Sequence, residues 1–199
     1  MPARPTAPAA PIRHRGSRVY LRPPRRADAP AFLAAVQASR RLHGRWVLPP
    51  STPALFAVYV RRYGRPARWE PGRATHAGFL VCRAEDDAIV GVFNLSEIVR
   101  GALQSAYLGY YALAPHAGQG YMSEGLGLVL EAAFRTLGLH RVEANVQPDN
   151  AASLRLVERA GFAREGYSRR YVKIAGRWRD HVRHALLVED WRARRAGRR

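Results

Sequence analysis

The sequence predicts an α/β (α+β) domain in which a mixed central sheet of about seven strands is flanked by four helices. Two observations lead to this class. Short apolar segments with strand character alternate along the chain with longer segments of helical periodicity, in the order β-α-α-β-β-β-α-β-α-β-β. The chain has 199 residues, 47% of them hydrophobic, which suits one domain with a substantial core.

The first 113 residues carry the signals of four strands and two helices. Asp28 and Thr52 are N-cap residue types that precede helical spacing, and Pro53 suits a first helical turn. They predict helices over 31–42 and from residue 53. Apolar runs predict strands over 18–22, over 105–113 and on either side of a turn at 85–87 within 76–99.

The second half of the chain predicts two helices and three strands. Glycines mark the ends of both helices, Gly138 after a helix over 121–137 and Gly161 after a helix that Asn150 caps. Alternating residues predict strands over 140–147, 162–174 and 177–188.

The two ends of the chain differ in composition from the middle. Residues 1–17 are rich in Pro, Ala and Arg without apolar periodicity, which predicts a disordered basic arm. Residues 192–199 are mostly arginine, alanine and glycine and predict a basic tail. The folded domain is therefore expected over 18–191.

The net charge of +18 favours polyanionic surroundings such as RNA or a ribosome, or an anionic ligand. Nearly all of it is arginine, since Lys173 is the only lysine. No apolar run approaches the ~20 residues that span a membrane, and no signal-peptide pattern follows Met1. The single cysteine, Cys82, excludes an internal disulfide, and together these features predict a cytoplasmic protein.

Residues 115–127, PHAGQGYMSEGLG, predict an anion-binding loop at the start of a helix. Glycine leaves backbone N–H groups uncovered, and a helix N-terminus adds about half a positive charge. A P-loop is excluded because no lysine lies near. A dinucleotide fingerprint is disfavoured: Gly118 and Gly120 fit and Glu143 lies at a suitable distance, but too little chain follows for the remaining parallel strands.

The third interpretation is the pyrophosphate loop of the GNAT acetyltransferases, [Q/R]-x-x-G-x-[G/A]. Residues 117–122 lie in that position, although Ala117 and Met122 depart from the pattern at its two ends. The stretch QPDNAASLRLVERAGFAREG resembles the second signature of that family. Matches at 98–101, 106–110, 118–126 and 176–191 resemble its RimJ-type ribosomal-protein-alanine N-acetyltransferases. The resemblance covers roughly residues 18–191.

The resemblance implies acetyl-CoA as the cosubstrate and no metal. It implies that the loop residues Ala117, Gly118, Gln119, Gly120, Tyr121 and Met122 hold the pyrophosphate, and that the strand residues Tyr111, Ala112 and Leu113 pair with the pantetheine arm. It also implies that Asn150 contacts this arm. Ser153 is placed near the thioester sulfur, as a group that positions or protonates the thiol.

The residues themselves leave the general base open. A protein α-amine has a pKa of about 7.7–8.0, so a fraction is already neutral at neutral pH, whereas lysine titrates near 10.4. The strand AYLGYYAL lacks a glutamate. Glu97 is a candidate base or a solvated carboxylate. Asp180, with His181, is a candidate to bind the amine, to orient the strand or to form an ion pair.

Four further residues have structural interpretations that compete with chemical ones. Glu124 is expected to be a structural acid in the first helical turn. Cys82 is expected in the core rather than as an acyl carrier. Tyr110 and Tyr111 are expected to divide between core and cleft. A zinc pair of His181 and His184 is disfavoured because a spacing of three puts them on opposite faces of a strand.

These features predict an acetyl-CoA-dependent N-α-acetyltransferase that acts by direct amine attack on the thioester. By resemblance, its acceptor is the N-terminal alanine of a small-subunit ribosomal protein. The positive charge predicts ribosome or RNA contact through the basic arms, and we expect a monomer or weak dimer. Two alternatives remain open. One is acetylation of a small-molecule amine, and the other is an RNA-binding assembly factor with a vestigial acetyl-CoA site.

Overall fold

The computed structural model describes residues 14–64 and 74–197, and its centre is one sheet of eight strands. Their spatial order is β1-β2-β3-β4-β5-β6-β8-β7. The strands are β1 (His14–Arg15), β2 (Val19–Arg22), β3 (Ala77–Arg83), β4 (Ile89–Val99), β5 (Ser105–Ala112), β6 (Arg141–Val146), β7 (Ala163–Ile174) and β8 (Arg177–Leu187).

Six α-helices within the described residues cover the two faces of the sheet and so divide the core in two. They are α1 (Ala29–Ala38), α2 (Arg40–His43), α3 (Pro53–Tyr63), α4 (Tyr121–Glu131), α5 (Ala151–Ala160) and α6 (Val188–Ala196). Phe32 of α1 and Phe56 of α3 pack with Val92 and Tyr111 on one face. On the other face, the apolar side of α4 packs against alternate residues of the same strands, such as Phe93.

The pairing of β5 with β6 is parallel, whereas every other strand pair of the described sheet is antiparallel. Because parallel neighbours need a crossover, the chain leaves β5, runs through the glycine loop and α4, and returns to β6. A π-helical turn, Ala132–Thr136, continues α4 and packs Ala133 and Phe134 into the core. The crossover thus places the predicted anion loop at the carboxyl end of β5.

The predicted fold class is confirmed, and the sequence analysis missed three elements. Strand β1 lies inside the stretch predicted as a disordered arm and pairs with Tyr20 and Leu21. Helix α6 runs from β8 into the predicted tail, with Trp191 buried. The helix predicted over 31–42 is two helices, α1 and α2, that meet at Ser39. The rest of the predicted arm, residues 1–13, lies outside the described residues.

Helix caps explain why several predicted boundaries hold. The Thr52 hydroxyl accepts a hydrogen bond from the Leu55 N–H (3.2 Å), and Gly161 ends α5 in the left-handed conformation. Asp28 precedes α1 as predicted, but its side chain does not cap the helix. Its carboxylate instead accepts two bonds from the Arg22 guanidinium, at 2.7 and 2.8 Å.

No helix within 14–64 or 74–197 is both long and apolar enough to cross a membrane.

Glu124 fastens the start of α4 to the start of β2. Its carboxylate accepts hydrogen bonds from the backbone N–H groups of Arg18 (2.7 Å) and Val19 (3.2 Å), and pairs with the Arg18 guanidinium at 3.2 Å. Desolvation raises the pKa of Glu124, but these bonds outweigh it and leave the pKa lowered. The contacts are those of the structural acid that the sequence predicts.

We expect Glu124→Gln to lower the melting temperature at pH 7 by about 2–4 °C, as for the loss of ~1 kcal/mol of charge-assisted hydrogen bonding. A carboxylate whose folded pKa is depressed stabilises the fold above its unfolded pKa and loses this effect as the pH falls through the folded value. The difference between the variant and the parent should therefore shrink below pH 4.5, the ordinary pKa of a glutamate.

Thermal melts at pH 7 and pH 3.5 measure both effects, with Glu158→Gln on exposed α5 surface as the control. A penalty that is the same at both pH values would contradict a role for the ionised carboxylate.

Candidate active site

Strands β5 and β6 separate after a short stretch of pairing and leave an open edge. The two strands pair in parallel at three positions: Ser105 with Arg141, Ala106 with Val142 and Tyr107 with Glu143. Within the described residues, their pairing ends there. Beyond this point β5 pairs with β4 as far as Ala112, and β6 pairs with β8 as far as Val146. The edge of β5 beyond Tyr107 therefore faces a cleft instead of a strand.

The glycine loop follows directly from the open edge. Gly118 and Gly120 have φ angles of 80° and 83°, a backbone conformation that glycine adopts without strain. Gly120 is the N-cap of α4, and no side chain caps that end. The first N–H groups of a helix have no acceptor within it. They lie beside an exposed loop, so the geometry suits a bound anion, as the sequence predicts.

Arg18, the residue before β2, contacts this loop. Its guanidinium donates a hydrogen bond to the Gln119 carbonyl oxygen at 3.1 Å and lies 5.1 Å from the centre of the Tyr121 ring. A Cβ placed on Gly120 would lie 3.1 Å from the same guanidinium. The loop therefore has a cation at its side as well as free amides.

Two buried polar side chains of the α1–α2 junction fix the end of β5 where it enters the loop. The Ser39 hydroxyl accepts a hydrogen bond from the Ala114 N–H (2.8 Å) and donates one to the Ala35 carbonyl (2.6 Å). His43 Nε2 lies 2.9 Å from the Ala112 carbonyl oxygen, and burial lowers the pKa of this histidine. Because His43 already bonds this carbonyl, the open edge is limited to the residues before Ala112.

Ser153 and Tyr110 meet across the cleft, one from α5 and the other from β5. The Tyr110 hydroxyl is hydrogen-bonded to Ser153 Oγ and lies 3.3 Å from the Ser153 carbonyl oxygen. Phe93 packs against the Tyr110 ring, with 5.6 Å between the ring centres. Burial raises the pKa of Tyr110 to about 12, although the bond to Ser153 lowers it. The phenol therefore holds its proton at neutral pH.

Asn150 acts as the cap that the sequence predicts. Its Oδ1 accepts a hydrogen bond from the Ser153 N–H at 3.1 Å and so fixes the first turn of α5. This bond sets the position of Ser153 relative to the cleft. The contact of Asn150 with an acyl-CoA arm stays a prediction.

The contacts of the remaining predicted cofactor-binding residues with CoA stay predictions, and the Ala112 carbonyl and the Leu113 N–H already have partners within the protein. Tyr111 and Leu113 are buried, the Tyr111 ring standing edge-on to His43 with 5.3 Å between ring centres. The Leu113 N–H donates to the Val90 carbonyl oxygen at 2.9 Å. The Met122 sulfur packs against Gly91, which explains the departure from a small residue at the end of the loop motif.

Glu97 lies on β4, one strand away from the cleft. It sits in a bulge with a φ of 48°, and its side chain is 60% exposed. Its Oε1 is 3.4 Å from the Arg62 guanidinium and 3.5 Å from His76 Nε2. The structure does not bring Glu97 together with Ser153 in any contact, and a role as base stays a prediction.

Asp180, in β8, accepts hydrogen bonds from β7 through both carboxylate oxygens. One accepts from the Tyr167 hydroxyl at 2.6 Å and the other from the Arg170 N–H at 2.7 Å. These two bonds, the backbone one first, lower the pKa of Asp180. They stabilise the bulge in which Arg170 has a φ of 48°. Amine binding by Asp180 stays a prediction, and its neighbour His181 is buried against the Tyr171 ring.

Cys82 and the two histidines of β8, His181 and His184, are buried. Cys82 is fully buried, and this burial raises the pKa of its thiol, so the core position that the sequence predicts is confirmed. Within the described ranges, no group of three or more histidine, cysteine or acidic residues lies close enough to bind a metal ion.

Sequence reasoning missed the roles of Tyr110, Ser39, His43 and Arg18. Tyr110 is separated from Ser153 by 43 residues, and Ser39 from Ala114 by 75. No local pattern marks these pairs. The one available signal was that Ser39 and His43 are polar residues at positions expected to face the core.

Comparisons with known proteins agree with this geometry. The acetyltransferase (GNAT) domain family matches residues 18–163. The chain is 45% identical over 62% of its length to the probable N-acetyltransferase YjcK of Bacillus subtilis, of which the match covers 67%. It is 42% identical over 54% of its length to the [Ribosomal protein uS5]-alanine N-acetyltransferase of Escherichia coli and spans about half of that relative, 55%.

Solved structures share the fold over most of the chain. Mycobacterium smegmatis RimJ in complex with CoA-disulfide superposes with a TM-score of 0.78 at 28% identity, over 90% of both chains. Spermidine N-acetyltransferase from Vibrio cholerae, in complex with CoA and spermine, has a TM-score of 0.72 at 21% identity, over 88% of this chain and 99% of its own. This second likeness shows the fold alone.

Gly118 offers a test of the loop that avoids backbone strain. A Cβ at Gly118 would meet no protein atom within 4 Å, and asparagine tolerates a positive φ better than most residues. We therefore expect Gly118→Asn to fold normally and to weaken CoA binding at least tenfold, because its side chain enters the space that the pyrophosphate needs.

Calorimetric titration with CoA measures this effect. Gly101→Asn is the matched control, since Gly101 also has a positive φ (67°) and open space around it but lies in the β4–β5 turn. Unchanged affinity in folded Gly118→Asn would refute the assignment of the loop.

Proposed function

We propose that the chain, which belongs to the acetyltransferase (GNAT) family, transfers acetyl from acetyl-CoA to the α-amine of a protein N-terminus. The observation that carries this proposal is the contact between Ser153 and Tyr110 at the cleft, beside the open edge of β5 and the glycine loop. The acceptor we propose is the N-terminal alanine of a small-subunit ribosomal protein. The relative of that activity, 42% identical over its matched half, supports this choice.

The residues around the cleft fit a CoA thioester. The amides of the loop from Gly118 to Gly120 and of the first turn of α4 would hold the pyrophosphate. The open backbone of β5 between Tyr107 and Ala112 would pair with the amides of the pantetheine arm. When bound there, acetyl-CoA supplies an activated acyl group and a thiolate leaving group.

Ser153 and Tyr110 supply the proton that a thiolate needs. The phenol keeps its proton at neutral pH, and either hydroxyl of the pair can donate. When Tyr110 donates to Ser153 Oγ, the serine hydroxyl proton is free to point into the cleft. The Asn150 cap and the packing of Phe93 against Tyr110 hold both groups in place. The pair thus acts as an acid built from two elements that only the tertiary structure joins.

The acceptor α-amine needs little help to lose its proton, because its pKa of about 7.7–8.0 lies close to neutral pH. We propose that water takes this proton and that Glu97 and Asp180 act as positioning residues. Glu97 pairs with Arg62, and both oxygens of Asp180 accept hydrogen bonds within the hairpin. A carboxylate held in this way is a weak base.

The charge around the cleft favours an acceptor with one amine over a polyamine. Glu143, next to the point where β5 and β6 separate, pairs with Arg141 at 2.9 Å, and Asp149 pairs with Arg45 at 3.1 Å. With Glu97, three carboxylates of this region are therefore neutralised by arginine. A polycation finds few free anionic partners here, whereas a neutral α-amine needs none.

Removing either member of the acid pair should lower turnover. We expect Tyr110→Phe and Ser153→Ala each to reduce kcat by about 10- to 100-fold while the KM for acetyl-CoA changes less than threefold, because the lost interaction belongs to the transition state. The double variant should be little worse than either single variant, since the two hydroxyls act as one unit.

Steady-state kinetics that follow thiol release measure these constants. Effects that multiply in the double variant, or a loss confined to KM, would contradict the proposed relay.

The acceptor is tested with a panel of peptides and amines at fixed acetyl-CoA. We expect a peptide with N-terminal alanine to be acetylated at least tenfold faster than the same peptide blocked at its N-terminus with a free lysine side chain, and faster than spermidine. A preference for spermidine would overturn the proposed acceptor and leave the transferase chemistry standing.

The pH dependence of kcat/KM should follow the acceptor and not the enzyme. With the alanine peptide, kcat/KM should rise with an apparent pKa near 8, and with a lysine acceptor it should keep rising toward pH ~10. In the variants Glu97→Gln and Asp180→Asn, kcat/KM should rise with pH in the same way. A limb near pH 6–7 that is independent of the acceptor, and that one of these variants abolishes, would identify that residue as a general base.

A further inference from the structure

Strands β7 and β8 form a basic surface with exposed aromatic rings, which we call the basic hairpin (residues 163–187). It contains seven arginines and lysines against two carboxylates, Glu165 and Asp180, a net charge of +5. Strand β7 is the last strand of the sheet and is exposed along most of its length. Six of the basic side chains are exposed: Arg164, Arg169, Arg170, Lys173, Arg177 and Arg183.

The cations of the basic hairpin lack carboxylate partners. Within the described residues none of the seven lies within 4 Å of a carboxylate, whereas arginines elsewhere, such as Arg22, Arg83 and Arg141, form ion pairs. Both acids of the hairpin are engaged: Glu165 by Arg141, and Asp180 by the neutral donors Tyr167 and Arg170 N–H. The positive charge of the hairpin is therefore free to meet an external anion.

Arg179 of the basic hairpin also indicates binding of an external anion. It is half-buried, and its Nε is buried with no hydrogen-bond partner among the described residues. An unsatisfied buried donor on a charged group is costly unless a ligand completes it.

Aromatic rings accompany these charges. Trp178 pairs across the strands with Lys173 and is 59% exposed, and Tyr167 is 47% exposed. Indole and phenol rings offer a face on which nucleic acid bases stack, and such stacking contributes about 1–3 kcal/mol per base. An acidic protein segment would use the arginines but not these rings.

The hairpin is also rigid enough to present a fixed surface. The Asp180 carboxylate bonds to the Tyr167 hydroxyl and to the Arg170 N–H, and so pins the bulge between Ser168 and Val172. Arg169 and Arg170 lie in this bulge and are exposed, so their backbone is held by these bonds, which reduces the ordering cost of binding.

We propose that the basic hairpin binds single-stranded RNA, with its arginines and lysine on phosphates and Trp178 stacked on a base. This surface is distinct from the loop and the Ser153–Tyr110 pair. Its function does not require acetyl transfer, so binding is measured without acetyl-CoA and its failure leaves the proposed activity untouched.

Fluorescence anisotropy with a labelled 20-nucleotide single-stranded RNA of mixed sequence tests the proposal across 50–300 mM KCl. The triple variant Arg169→Gln, Lys173→Gln, Arg177→Gln should bind about tenfold more weakly at 100 mM KCl. The slope of log K against log salt should lose about 2 units, since each phosphate contact on a single strand contributes about 0.7.

The charge-matched control is Arg26→Gln, Arg61→Gln, Arg192→Gln, three exposed arginines outside the hairpin with no carboxylate within 4 Å among the described residues. It should bind nearly as the parent protein does. Equal weakening in both triple variants would mean attraction by net charge alone and would overturn the proposal.

Trp178→Ala separates RNA from other polyanions. It should weaken RNA binding about five- to tenfold without changing the salt slope, because stacking releases no counterions. Unchanged affinity, or equal competition by polyglutamate, would overturn RNA as the ligand. Thermal melts establish that all variants are folded.

Discussion

The separation of β5 from β6 is the constraint on which the rest of the structure depends. Parallel strands in the same sheet normally continue to pair, but here β6 follows β8 through six register pairs and β5 follows β4, so the two part after Tyr107 and Glu143. The parting leaves backbone donors and acceptors on β5 that need a partner. A ligand with amide groups can supply these hydrogen-bond partners. The cleft exists because β5 and β6 do not pair beyond Tyr107.

Side chains next to the cleft fix the position of the backbone at its edges. Ser39 and His43 bond the backbone on either side of Leu113 and limit the open edge at its far end. Glu124 and Arg18 join the start of α4 to β2 and so hold the anion loop against the sheet. Ser39 and His43 are buried and hydrogen-bonded, which favours a single arrangement of this end of β5 over several similar ones.

Arginine has two different roles in this molecule. Around the cleft, Arg45, Arg62 and Arg141 each neutralise a carboxylate, so the acceptor region carries little free negative charge. On the basic hairpin no arginine lies within 4 Å of a carboxylate of the residues that the structure describes, and most of these arginines are exposed. The excess of arginine in the composition therefore includes one set paired with carboxylates near the cleft and another, on the basic hairpin, with no carboxylate within 4 Å among the described residues.

The sequence by itself determined the class of fold, the glycine loop and most helix ends, because these depend on local physics. Thr52, Asn150 and Gly161 act on backbone groups within a few residues, and Gly118 and Gly120 permit φ angles that other residues resist. The family resemblance likewise rests on contiguous stretches. The alternation of apolar and polar residues also identified the strands, because successive side chains of a strand point to opposite faces of the sheet.

Only the tertiary structure decided which distant groups meet. The pairing of Tyr110 with Ser153 depends on the register of β5, the point where β6 leaves it and the entry of α5. None of these is encoded in a short window. The same holds for α6, whose Trp191 is buried against Phe134, a residue far along the chain. Strand β1 has no apolar residue to mark it and is defined by its pairing with Tyr20 and Leu21. Periodicity in the sequence indicates which side chains of a helix or strand face the core. Strand order and register decide which residues of other elements those side chains contact.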